Sequence, residues 1–238
     1  GNMIGALLCD YELSRRAAKG TGKDGLPADG FVVRSIVSGR MTDAICANYG
    51  VELVEVLTGF KHIGAKILKA EESGVGTYLF GFEESYGYLS GSYVRDKDAV
   101  DGTFMICEMF AFYKTRGVSL IQKLDELYKT YGYCLNTLHS YEFPGSSGME
   151  KMNAIMQTFH KGLDSIAGSK VIKTEDYSKG LNGLPKSDVL KFYMENGSVV
   201  VRPSGTEPKL KTYISITAED KEKAKQRESE IVHELQSK

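Results

Sequence analysis

Arg202-Pro203-Ser204-Gly205-Thr206-Glu207-Pro208 gathers a guanidinium, two hydroxyls and a glycine between two prolines. Such a loop suits an anion. Arg202 offers a planar fork of donors to two phosphate oxygens at once. Ser204 and Thr206 add hydroxyl donors. Gly205 lets backbone N–H groups turn inward without a Cβ in the way. Pro203 and Pro208 restrict the loop, so less entropy is lost when a ligand arrives. By composition the same stretch also suits a plain polar hairpin loop.

Three further clusters carry chemistry. Glu83-Glu84-Ser85-Tyr86-Gly87 follows an apolar strand signal. Two carboxylates there are costly unless solvated or bound to a ligand, and a carboxylate with a hydroxyl can hold two neighbouring sugar hydroxyls. Paired carboxylates also bind metals or cleave glycosides, but strand neighbours point to opposite faces, so Glu83 and Glu84 diverge unless the loop bends. Tyr93-Val94-Arg95-Asp96-Lys97-Asp98 precedes a helix signal. Lys97 could meet a phosphate or carboxylate, or the run could be a solvated charge cluster. Thr58-Gly59-Phe60-Lys61-His62 links a strand to a helix, where backbone N–H groups favour an anion or a polar ligand edge.

These clusters need elements to position them. Residues 31–37, 51–57 and 77–82 read as strands, separated by helical patterns around Ile45 and Ile67. Val100, Phe104, Cys107 and Ala111 share one face of a long helix, and Leu120, Leu124, Leu127 and Tyr128 share one face of the next. Strands alternating with helices imply an α/β layered domain, whose ligands gather at the C-terminal strand ends. Both Thr58-Gly59 and Glu83-Glu84-Ser85 fall there. Past Tyr141 the pattern changes. Met149, Met152, Met156, Phe159 and Leu163 line a helix, and residues 171–173 read as a short strand. Strands 189–194 and 198–202 flank the hairpin signal Glu195-Asn196-Gly197. Residues 210–216 alternate as a half-buried strand, and Ala224, Glu228, Ile231 and Leu235 mark a closing helix. This reads as a smaller α+β domain. The boundaries place a stub and linker at 1–26, the α/β domain at 27–140 and the α+β domain at 141–238.

The totals bound the rest. The chain has 238 residues, 42% hydrophobic and 26% charged, with a formal net charge of −1. No global basic field recruits nucleic acid or an anionic membrane, and no apolar run approaches the roughly 20 residues of a membrane span. Cys9, Cys46, Cys107 and Cys134 form no metal or redox motif and suit a reducing, cytoplasmic compartment.

Taken in order, Thr-Gly-Phe-Lys, Phe-Glu-Glu-Ser-Tyr-Gly, Arg-Asp-Lys-Asp and Arg-Pro-Ser-Gly-Thr-Glu-Pro resemble the α-D-phosphohexomutases, nearest the bacterial phosphoglucomutase/phosphomannomutase group. The resemblance covers essentially the whole chain. It implies an α/β/α domain with a mixed sheet, then a TATA-box-binding-protein-like domain with a mostly antiparallel sheet. These are domains three and four of a four-domain enzyme, after a stub of domain two. That enzyme moves phosphate between C1 and C6 of glucose or mannose through glucose 1,6-bisphosphate or its counterpart. The chain has neither a Ser-His-Asn-Pro phosphoserine motif nor an Asp-x-Asp-x-Asp-Arg magnesium loop. The resemblance therefore implies no catalytic nucleophile and no metal ligand here, partners in the missing domains one and two, and no turnover by this stretch alone. It implies sugar contacts at Glu83, Ser85, Thr58 and Gly59, and phosphate contacts at Arg202, Ser204, Gly205, Thr206 and Lys97. Phe82 departs from the family, where many members have glycine, and puts the sugar in question. A phosphopentomutase fragment and a non-catalytic phosphosugar-binding module are the alternatives.

Overall fold

Residues 30–35 read Gly-Phe-Val-Val-Arg-Ser, and so apolar a run is stable with both faces covered. The computed structural model, which describes residues 1–20, 25–205 and 207–237, makes it strand β1 (Gly30–Ser35), buried throughout. The chain divides into two units, Gly1–Tyr131 and Gly132–Lys238.

The first unit runs α1 (Asn2–Lys19), β1, α2 (Met41–Tyr49), β2 (Glu52–Val56), α3 (Phe60–Ser73), β3 (Thr77–Glu83), β4 (Gly87–Leu89), α4 (Ala99–Lys114) and α5 (Leu120–Tyr131). Its sheet has the order β2-β1-β3-β4. β1 is parallel to β2 and β3, while β4 turns back antiparallel to β3. The three parallel strands therefore end on one edge, at Ser35, Val56 and Glu83. The loops that follow them are the ones carrying the candidate residues.

The opening helix α1, which falls in the expected stub at 1–26, packs into this unit. Leu8, Cys9 and Leu13 are fully buried, and the ring of Phe82 lies against Gly5. Phe82 is itself buried and stacks on Phe80 with centroids 5.9 Å apart. α4 also turns out differently from its pattern. Gly102, Met105, Met109 and Tyr113 face inward, while Val100 and Phe104 stay exposed. α4 is apolar nearly all round, so hydrophobicity cannot choose its buried face.

The second unit runs β5 (Tyr133–Glu142), α6 (Gly148–His160), β6 (Ser165–Ile166), β7 (Ser169–Lys170), β8 (Lys173–Asp176), β9 (Leu190–Met194), β10 (Gly197–Pro203), β11 (Lys209–Ala218) and α7 (Lys221–Gln236). Its five-stranded sheet has the order β5-β11-β10-β9-β8 and is antiparallel throughout. Alternate residues of the strands face α6 and α7: Phe192, Val199, Val201, Ile214 and Ile216 meet Met152, Met156, Phe159, Ala224 and Ile231. Among the described residues no helix is long and apolar enough to cross a membrane.

Candidate functional site

The sugar-reading candidates cluster at the C-terminal edge of the first sheet. Gly59 is the N-cap of α3, at φ 110° and ψ 121°, a conformation that L side chains rarely adopt. Its N–H donates to Glu83 Oε1 at 2.6 Å. A carboxylate on the free N–H groups of a helix start is favoured by hydrogen bonding and by the helix dipole. Glu83 is only 4% exposed. Burial pushes its carboxyl above the usual range and Glu84 adds to this, while the Gly59 N–H and Lys97 work the other way. Lys97 Nζ stands 3.9 Å from Glu83 Oε2, and both its stem and the Phe60 ring approach Gly87 closely. The structure thus brings Gly59, Glu83 and Lys97 together. Thr58 is half-buried beside them, and Ser85 is exposed at the hairpin tip.

The loop bearing Lys97 is held on both flanks. Ser90 donates through its backbone N–H and its hydroxyl to Asp101, each at 2.8 Å. Arg95 pairs with Glu71 of α3. Gly64, inside α3, is needed here for close approach: a Cβ would stand 2.2 Å from the Arg95 carbonyl oxygen. Asp98 caps α4 by accepting from Val100 N at 2.8 Å and Asp101 N at 3.3 Å.

The partners of Glu84, and a buried arginine at this edge, are absent from the sequence reading. Glu84 Oε2 lies 2.9 Å from Ser35 Oγ and 3.4 Å from Ser38 Oγ. Arg34, 1% exposed, pairs with Asp43 at 2.7 Å and Glu55 at 2.8 Å. Burial opposes its charge, but those two carboxylates outweigh it and raise its pKa. An Arg directly after the apolar run Phe31-Val32-Val33 was the available signal, since a buried charge must find partners.

Lys97, a phosphate candidate by the sequence reading, thus stands in the first unit with the sugar candidates. The other phosphate candidates lie in the second unit, where β10 gives way to β11. The register sets Arg202 directly opposite Lys211. Like charges facing each other across an antiparallel pair are destabilising, and an anion between them relieves this. Lys211 is also missing from the sequence reading; only the strand register shows it. The loop closes through Ser204 N donating to the Lys209 carbonyl at 2.8 Å. That N–H is therefore committed to the loop. Gly205 is exposed, and no atom lies within 4 Å of where its Cβ would be. Thr206 lies outside the described residues. Lys209 pairs with Glu142 at 2.9 Å, tying the loop base to the edge strand. A hollow of about 240 Å³ beside it is lined by Glu142, Phe143, Pro144, Glu207, Pro208 and Lys209.

Among the described residues no group of three or more His, Cys, Asp or Glu side chains could hold a metal ion.

Residues 1–131 match the family model "Phosphoglucomutase/phosphomannomutase, alpha/beta/alpha domain III". Residues 146–233 match the C-terminal domain model of the same family. A phosphoglucomutase of Staphylococcus epidermidis is 36% identical over 233 residues, covering 92% of this chain and 40% of that protein. The chain thus spans about 40% of the length of the curated relatives it matches. Among solved structures, the open form of parafusin from Paramecium, a phosphoglucomutase, superposes with a TM-score of 0.67 at 18% identity, covering 99% of this chain and 40% of that one. The N-acetylphosphoglucosamine mutase of Aspergillus fumigatus, solved in complex with glucose 1,6-bisphosphate, gives a TM-score of 0.52 at 12% identity, covering 99% and 42%. At these identities the superpositions speak for the fold.

Proposed function

The chain belongs to the phosphoglucomutase/phosphomannomutase family, and from that premise we propose that it is the sugar-reading and phosphate-holding part of a hexose phosphomutase. The whole enzyme would interconvert hexose 1-phosphate and hexose 6-phosphate of glucose or mannose through a bisphosphorylated sugar such as glucose 1,6-bisphosphate. Domains one and two of the same polypeptide would supply the phosphoserine and the magnesium loop. The observation that carries the reading is the meeting of Gly59, Glu83 and Lys97 at the C-terminal ends of the parallel strands.

The residues divide the work. A carboxylate has about four acceptor sites. Glu83 gives one to Gly59, faces Lys97 with the other oxygen, and keeps capacity for sugar hydroxyls. Ser85, exposed next to it, takes the adjacent hydroxyl, and Thr58 borders the ring. Lys97, 51% exposed at its side chain, can leave Glu83 for a substrate oxygen. Arg202, Ser204, Gly205 and Thr206, joined by Lys211, hold the phosphate that is not being transferred. Such a loop recognises an anion by charge and donors without reading the ring. Either phosphate of the intermediate can then use it. A cytoplasmic setting belongs to the same reading, supported by four free cysteines, since thiols persist in reducing compartments.

Calorimetry of the chain with glucose 1-phosphate tests the proposal. Measurable binding that Glu83→Gln and Arg202→Ala each weaken by roughly tenfold or more, the size of a lost charge-assisted hydrogen bond, supports it. Binding indifferent to both substitutions overturns it. Ribose 1-phosphate in place of glucose 1-phosphate tests the phosphopentomutase reading.

A further inference from the structure

Glu84 neighbours the proposed sugar ligands Glu83 and Ser85 but takes no part in the binding just described. Its carboxylate is nonetheless engaged. Ser35 and Ser38 lie in and just after the end of β1 and are 0% and 3% exposed. Their hydroxyl oxygens are 2.9 Å apart, and Ser35 Oγ is 2.9 Å from Glu84 Oε2. Each serine has one proton to donate. The distances suit a relay in which Ser38 donates to Ser35 and Ser35 donates to Glu84. A hydrogen-bonded chain of this kind strengthens each of its members.

The loop that bears the relay is held from several sides. Gly39 N donates to Asn2 Oδ1 at 2.7 Å. The Gly39 carbonyl accepts from Arg34 Nη1 at 2.7 Å and from Thr42 Oγ1 at 3.2 Å. Ser38 N donates to the Ser35 carbonyl at 3.0 Å. Glu84 therefore ties itself to a loop bonded to α1, α2 and β1. The hairpin it belongs to needs a tie. Glu83 pairs with Gly87 at its base, leaving residues 84–86 as the tip, and Tyr86 sits there at φ 61°, an uncommon conformation for a side chain of its size.

We propose that Glu84, through Ser35 and Ser38, is the positioning residue of the sugar-reading hairpin. It turns away from Glu83 and fixes the tip, so that Glu83 and Ser85 meet the ring together. The inference rests on the sugar-reading role proposed above for that hairpin.

The test compares Glu84→Ala, Glu84→Gln and Ser35→Ala in the 238-residue chain. Three quantities are followed: affinity for glucose 1-phosphate, affinity for inorganic phosphate, and amide exchange at Ser85, Tyr86 and Gly87. Glu84→Ala is expected to weaken glucose 1-phosphate binding about tenfold, the loss expected of a hydrogen bond to a charged group. It should leave inorganic phosphate binding unchanged and speed exchange at the tip. Glu84→Gln keeps an acceptor oxygen and should restore most of the affinity. Ser35→Ala should mimic Glu84→Ala and add little to it. Unchanged tip exchange in Glu84→Ala overturns the inference, as does an equal loss of both ligands or a failure of Gln to rescue. If the unsubstituted chain binds inorganic phosphate but no sugar phosphate, the sugar-reading role falls and takes the positioning claim with it. Sugar binding that survives Glu84→Ala intact sinks the positioning claim alone.

Discussion

Glu83 carries a sign that can be checked. Burial, with Glu84 beside it, raises its pKa, so it takes up a proton at a higher pH than an exposed glutamate. Once protonated it loses acceptor capacity for sugar hydroxyls. Affinity for glucose 1-phosphate should therefore fall as pH drops toward the upper carboxylate range, and Glu83→Gln should flatten that fall; titration calorimetry at several pH values reads it. Glu175 behaves oppositely. It is 5% exposed and accepts from Lys173 Nζ at 2.6 Å, Tyr177 Oη at 2.8 Å and Tyr193 Oη at 2.9 Å. Burial alone would raise its pKa, but these donors outweigh it and lower it. A depressed carboxylate gives stability that is present above its unfolded pKa and lost as pH falls through its folded pKa. Glu175→Gln should lower the denaturation midpoint at neutral pH and shrink the acid-induced loss of stability. Across β10 and β11, Arg202 stands opposite Lys211, and like charges so paired are destabilising. Lys211→Ser should then raise the thermal midpoint without ligand and reduce the gain that inorganic phosphate confers. Of these residues, Glu83 and Arg202 are legible in the chain because motifs surround them. Lys211 is not, because its neighbour is set by strand register.

At the scale of elements, pattern sufficed where burial is one-sided. The Met stripe of α6 is buried at Met152 and Met156, and Glu195-Asn196 joins β9 to β10 as the Asn-Gly signal predicts. It failed where burial is two-sided or slight. In α4 both faces are apolar, and contact with β4 and α1 decides for Met105 and Met109 over Phe104. Met109→Ala should destabilise the chain by about 2–5 kcal/mol, the range for truncating a buried methionine. Phe104→Ser should stay within about 0.5 kcal/mol, as surface changes do. Denaturant melts of the two variants separate these outcomes. β5 escaped the sequence reading because its residues are mostly half-buried or exposed. It forms by pairing along its whole length with β11, a partner remote in the chain. β4 spans only Gly87–Leu89 and exists because the hairpin that bears Glu83 turns back on β3. The loop carrying Lys97 depends on Gly64, so Gly64→Val should push that loop off α3 and weaken glucose 1-phosphate binding while sparing inorganic phosphate.

At the scale of the whole molecule, the chain spans about 40% of the length of its curated relatives, and the roles proposed for its groups are binding and orienting ones. We expect these 238 residues alone to produce no glucose 6-phosphate from glucose 1-phosphate in a coupled assay; turnover by a pure sample contradicts this. What the sequence determined by itself is local. Apolar periodicity specified most strands and helices, and the composition of short loops marked the anion-binding and sugar-reading candidates. The order of those loops identified the family. The tertiary structure decided what depends on residues far apart in the chain. It packed α1 into the first unit and turned Phe82 toward Gly5. It set Glu83 on the start of α3 and Glu84 on the serines at and just past the end of β1. The physical reason is that a polar side chain buried at a strand end is stable only with partners, and those partners are chosen by which strands lie side by side.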